Sequence, residues 1–153
     1  MTNKIVVAKE GYNALTETNP NNLYFSSDYN TLKYYKSGSQ TVTVNFADFY
    51  YSEYWGFPFD ITWYYHKKEV TVSMSELGGF IPVFLAYAKF TASSDYCMCP
   101  LQFADAGYST FLQAYSSENG IRLTVNLINQ SNIGTQDYYF NYKVFMNGTY
   151  LDF

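Results

Sequence analysis

Alternation with a period of two runs through the chain. Thr41-Val42-Thr43-Val44-Asn45-Phe46 places Val42, Val44 and Phe46 on one face and its polar residues on the other. Val70, Val72 and Met74 share a face in residues 69–74, as do Leu123, Val125 and Leu127 in residues 122–127. Three such runs, rich in Val and Thr, predict half-buried β-strands. Turn-forming residues stand between the apolar segments. Lys36-Ser37-Gly38-Ser39 reads as a hairpin loop before the Thr41 strand, Asn119-Gly120 as a tight turn, and Asn147-Gly148 as another before residues 150–153. His66-Lys67-Lys68-Glu69 reads as a further hairpin tip, joining residues 60–65 to the Val70 strand. A helical period is absent. Its best candidate, residues 80–92, is interrupted by Pro82, and Phe84-Leu85-Ala86-Tyr87 reads as a buried strand.

Short strands recurring with tight turns predict an all-β protein, a single antiparallel β-sandwich of jelly-roll or Ig-like type. Residues 1–153 form one expected domain, with a short N-terminal strand or arm at about residues 1–22. Hydrophobic residues are 48% and charged residues 14%, which excludes disorder. A net charge of −4 and the lack of a basic stripe argue against nucleic acid. No apolar run approaches the roughly 20 residues of a membrane-spanning helix. Ile5-Val6-Val7-Ala8 is too short for a secretory signal core of about 7–15 residues, so synthesis and retention in a cytosol are expected, unless the protein leaves inside a particle.

The inventory for catalysis is thin. His66 is the one histidine, and between residues read as a turn it is expected to be solvated. No nucleophile elbow, phosphate loop or dinucleotide fingerprint occurs. Asp48, Glu53, Asp60, Glu69, Glu76, Asp95 and Asp105 read as surface charges rather than a hydrolytic pair. Cys97 and Cys99, one residue apart, are unsuited to a mutual disulfide and too few for a structural zinc site. They read as inert thiols, and no cofactor or metal is expected.

Aromatic residues are 22%, including 18 Tyr and 13 Phe. Tyrosine packs its ring on a pleated surface and leaves its hydroxyl in water, so sheet packing is one use of this excess. The other is a contact surface for sugars or subunits. The densest stretch is Phe49-Tyr50-Tyr51-Ser52-Glu53-Tyr54-Trp55-Gly56-Phe57, either a core strand ending in a Gly56-Phe57-Pro58 turn or an array of exposed rings. The candidate interface or glycan-contact residues are therefore Tyr50, Tyr51, Tyr54, Trp55, Phe57 and Trp63.

Two stretches carry a family resemblance. Leu23-Tyr24-Phe25-Ser26-Ser27-Asp28-Tyr29-Asn30-Thr31-Leu32-Lys33, following Lys9-Glu10-Gly11-Tyr12, is similar to the opening of small bacteriophage virion proteins. Leu77-Gly78-Gly79-Phe80-Ile81-Pro82 resembles a phrase that precedes a strand in phage tail and fibre domains, with Ser75 near the family's His. The resemblance implies a virion structural protein, in the tail, fibre or capsid decoration, that acts through subunit contacts. It implies a homo-oligomer, other virion proteins as partners, location in the virion and no catalytic residue. The alternative is a carbohydrate-binding or host-adhesion domain that holds a host surface glycan on exposed aromatics.

Overall fold

The computed structural model describes residues 4–8, 19–26, 31–45, 49–55, 61–77, 81–105, 107–129 and 134–148. Twelve strands appear among them: β1 (Lys4–Ala8), β2 (Asn22–Ser26), β3 (Thr31–Lys33), β4 (Lys36–Asn45), β5 (Phe49–Trp55), β6 (Ile61–Ser73), β7 (Ile81–Lys89), β8 (Cys97–Met98), β9 (Leu101–Asp105), β10 (Tyr108–Ser117), β11 (Gly120–Asn129) and β12 (Thr135–Gly148). The protein is an all-β sandwich. A five-stranded sheet in the order β5-β6-β11-β10-β9 faces a four-stranded sheet in the order β4-β12-β7-β8. All neighbours in these two sheets are antiparallel. β4 lies against β6, and β7 against β10. A third, small sheet pairs β1 with β2 in parallel and β2 with β3 antiparallel. Among the described residues the only helical segment is a single 3₁₀ turn, Ser75–Leu77, and no helix is long and apolar enough to cross a membrane.

The core follows from the alternation. Val42 and Val44 of β4 meet Leu123, Val125 and Leu127 of β11, with Ile121, Met74 and Leu112 completing the five-stranded side. β12 contributes Tyr138, Phe140, Tyr142 and Val144 to the other wall. Each such side chain withdraws apolar surface worth about 1.5–3 kcal/mol. Tyr138 is the one tyrosine buried completely among the described residues, and desolvation drives its phenol well above the ordinary tyrosine range, with Tyr108 beside it adding to the shift.

Three expected turns are instead strand. His66 is buried mid-strand within β6, which runs unbroken from Ile61 to Ser73. His66, Lys68, Val70 and Val72 pair in register with Leu127, Val125, Leu123 and Ile121, so the inward phase continues straight through the basic cluster. Local charge marked a loop there, but 66–69 contains no Gly, Pro or Asn to reverse the chain. Lys36-Ser37-Gly38-Ser39 opens β4 rather than forming a hairpin, and the chain bends earlier, at Tyr34 and Tyr35. Gly38 is required because the Tyr142 ring crosses it on the neighbouring strand and would collide with any Cβ. Asn147-Gly148 likewise extends β12, pairing with Pro82 and Ile81. Asn147 is buried, and its amide donates to the Leu77 carbonyl at 3.2 Å, so it ties β12 to the 3₁₀ turn. Residues 150–153, expected as the partner strand, lie outside the described residues, as do Phe46, Asp48 and Asp60.

The same 3₁₀ turn is tied to β4 by Lys36 Nζ and Glu76 Oε1, 2.6 Å apart. The hydrogen bond from Lys36 holds the Glu76 carboxyl below the ordinary glutamate range, and its counterpart raises Lys36. Both ends are more than a third exposed, so solvent limits the pair to under about 1 kcal/mol. Because Glu76 is lowered on folding, its contribution is present above the unfolded carboxyl pKa and disappears as pH falls through the folded one. Because Lys36 is raised, its share is lost only as pH rises through the folded lysine value. Glu76→Gln is therefore expected to lower the urea midpoint slightly at pH 7 and not at all at pH 2.

Candidate functional site

The outward face of the four-stranded sheet collects exposed apolar side chains. Along β7, Pro82, Ala86 and Ala88 point inward, so Ile81, Val83 and Leu85 point out at 43%, 38% and 39% exposure. Met98 of β8 lies opposite Tyr87 on the same face and is 54% exposed. These four are half of the eight large hydrophobic residues exposed among the described residues, and Leu32 and Tyr96 border the same face. Scattered exposed apolar residues are ordinary, whereas a contiguous row marks a contact surface.

The row ends at a sheet edge that resists strand addition. The Ala86 carbonyl accepts from Cys99 N at 2.9 Å, so by the two-residue repeat the polar groups of Phe84 and Pro82 face the same outer edge. Pro82 has no N–H to offer, and its carbonyl already accepts from Ser116 Oγ at 2.9 Å. An incoming strand would therefore find no regular ladder of hydrogen bonds at Pro82.

Beside the row lies a groove of about 840 Å³. Its floor is Ser37 and Ser39 of β4, Asn141 and Lys143 of β12, and Leu85 and Tyr87 of β7, with Tyr34 and Tyr96 at its margins. Register places Ser39, Asn141 and Tyr87 side by side, and Ser37, Lys143 and Leu85 in the next row. Lys143 Nζ stands 5.1 Å from the centre of the Tyr34 ring. Lys89 Nζ sits 4.8 Å from the Tyr96 ring and 5.4 Å from the Tyr139 ring, and donates to the Ala92 carbonyl at 2.7 Å. Both cations are held against aromatic faces, an arrangement worth about 0.5–1 kcal/mol when exposed.

The aromatic residues singled out from sequence occupy the opposite sheet. Tyr50, Tyr51, Tyr54 and Trp55 belong to β5, the edge strand of the five-stranded sheet, and Trp63 to β6, where it pairs with Glu53. Phe57 lies outside the described residues. The described rings that line the groove are Tyr34, Tyr87, Tyr96, Tyr142 and Phe145. Of the carboxylates, Glu69 accepts from Tyr115 Oη at 2.8 Å and lies 3.8 Å from Arg122, while Glu76 is engaged by Lys36. No group of three or more His, Cys, Asp or Glu is placed to hold a metal among the described residues.

Cys97 and Cys99 are both free thiols. Cys97, which pairs with Ala88, is exposed, whereas burial pushes the Cys99 thiol up to about 11. At pH 8 such a thiol is ionised to only about one part in a thousand. Iodoacetamide at that pH is expected to label Cys97 at least about tenfold faster than Cys99, read by peptide mass spectrometry.

No family model, curated protein or solved structure matches this chain.

Proposed function

We propose that the protein is a virion structural component that works by contact rather than catalysis, and that the outward face of the four-stranded sheet is where it packs against further copies or other virion proteins. The observation that carries this reading is the row Ile81, Val83, Leu85 and Met98, four exposed aliphatic positions in register on one flat face. The inner side of β7 already packs Phe84, Ala86 and Ala88 on the core, so folding of a single chain gives no reason for a row of large apolar residues on the outer side. Burial in an assembly does. The blocked edge at Pro82 fits the same purpose, since it leaves face-to-face packing and discourages open-ended strand pairing. The phage resemblance of residues 23–33 and 77–82 supplies the virion setting.

Met98, exposed on this face beside Tyr87, reports on the surface directly. Its labelling as the sulfoxide by hydrogen peroxide is expected to slow as protein concentration rises, and to recover in Val83→Glu, whose charge would be stranded in an apolar interface. Concentration-independent labelling in both proteins would remove the support for packing through this face.

A second reading, host adhesion through a surface carbohydrate, is favoured by the groove. Rings at Tyr34, Tyr87 and Tyr96 stand beside Asn141, Ser37 and Ser39, the mixture of flat apolar faces and fixed hydrogen-bonding groups that a sugar ring requires.

A further inference from the structure

We infer that the groove selects an anionic saccharide, one carrying a carboxylate or sulfate, over its neutral counterpart. The inference rests on the adhesion reading and sharpens it. Lys143 projects into the groove, and its described partner is the face of Tyr34 rather than a carboxylate. Lys89, the next cation along the face, is held by Tyr96, Tyr139 and the Ala92 carbonyl, again by no acid. Among the described residues lining the groove there is no Asp or Glu. The protein as a whole carries a net charge of −4, so a groove holding lysine and no acid runs against the overall charge. A cation resting on a ring keeps its charge and its outward N–H donors, and is positioned before any ligand arrives. Tyr87 supplies a ring and Asn141 an amide in the row next to Lys143. One sugar could thus stack on Tyr87, hydrogen-bond to Asn141 and Ser39, and set its anionic group at Lys143.

Charge complementarity makes the ligand's sign the variable to test. The probes are 3′-sialyllactose against lactose, trigalacturonate against maltotriose, and a sulfated heparin disaccharide against its unsulfated form. Binding is followed by amide chemical-shift changes in labelled full-length protein. At least one anionic probe is expected to bind about tenfold or more tightly than its neutral partner, and to weaken as salt rises. Lys143→Gln should cost that probe about tenfold, Tyr87→Ala a similar factor, and Lys67→Gln, an exposed lysine on the opposite sheet, nothing measurable.

Equal binding of the neutral and anionic members of each pair would overturn the inference while leaving adhesion through the groove standing. Absence of binding by every probe at about 10 mM would overturn both. Anionic binding that survives Lys143→Gln undiminished would also overturn it, by placing the anion site elsewhere.

Discussion

Gly120→Val is expected to destabilise the protein by about 3 kcal/mol. Gly120 has φ of +141°, a backbone region that valine enters only under strain. It opens β11 directly after the two-residue turn Glu118-Asn119, closing the hairpin through its pairing with Ser117. A Cβ here would drive into the Val72 carbonyl and stand 3.1 Å from Met74 N. Both obstacles are backbone of the β6 end, and Met74 N already donates to the Asn119 carbonyl at 2.9 Å. No side-chain rotation relieves the clash, so β6 must part from β11 where Gly120 faces Ser73. With a urea slope of about 2 kcal/mol/M, the midpoint should fall by about 1.5 M. An unchanged midpoint would mean that the turn is not built as described.

The other large effect is expected at Phe140, where replacement by alanine should cost about 3–5 kcal/mol. Phe140 is 0% exposed on β12, between Gln40 of β4 and Ala88 of β7. Its neighbour across the pair is the small Ala88, and the ring belongs to the buried core, so its loss leaves a cavity. Tyr139, one residue earlier, points outward, so Tyr139→Ala should cost less than about 1 kcal/mol. The contrast tests register as well as burial, because a slip of one residue exchanges the two faces. Similar thermal losses for both variants would contradict the pairing of β12.

The contrast between those two positions also explains what the sequence allowed to be read. Where polar and apolar residues alternate, as at Val42 and Val44 or from Ile121 to Leu127, the chain states which face is buried, and the sandwich follows. Gly120 was legible too, since Asn-Gly carries its own backbone preference, although the turn itself lies one residue earlier. The misread turns share a cause. Basic residues at 66–68 and small residues at 36–39 suggest exposure, yet Lys68 keeps the inward phase by pairing with Val125, and Gly38 answers to the Tyr142 ring from a strand about a hundred residues away. Tertiary contacts of that kind leave no local trace.

The contact face was hidden for a related reason. Residues 83–87 form an unbroken apolar run, which reads as a strand buried on both sides. Both faces of β7 are apolar, with Phe84, Ala86 and Ala88 turned to the core and Ile81, Val83 and Leu85 turned out, so the local pattern does not tell an outer contact face from a second buried one. The aromatic cluster at 49–57 is more extreme in local composition, and its described part, β5, belongs to the other sheet.

The most direct measurement is the mass of the protein in solution by light scattering across a hundredfold range of concentration, for the wild type and for Val83→Glu. Packing through the β7 face predicts a wild-type mass that settles at a fixed multiple of the single chain at high concentration, and a single-chain mass for the variant throughout. A wild type that stays at single-chain mass over the whole range, or a variant that assembles as the wild type does, would contradict the proposal that this face is where the protein joins its copies.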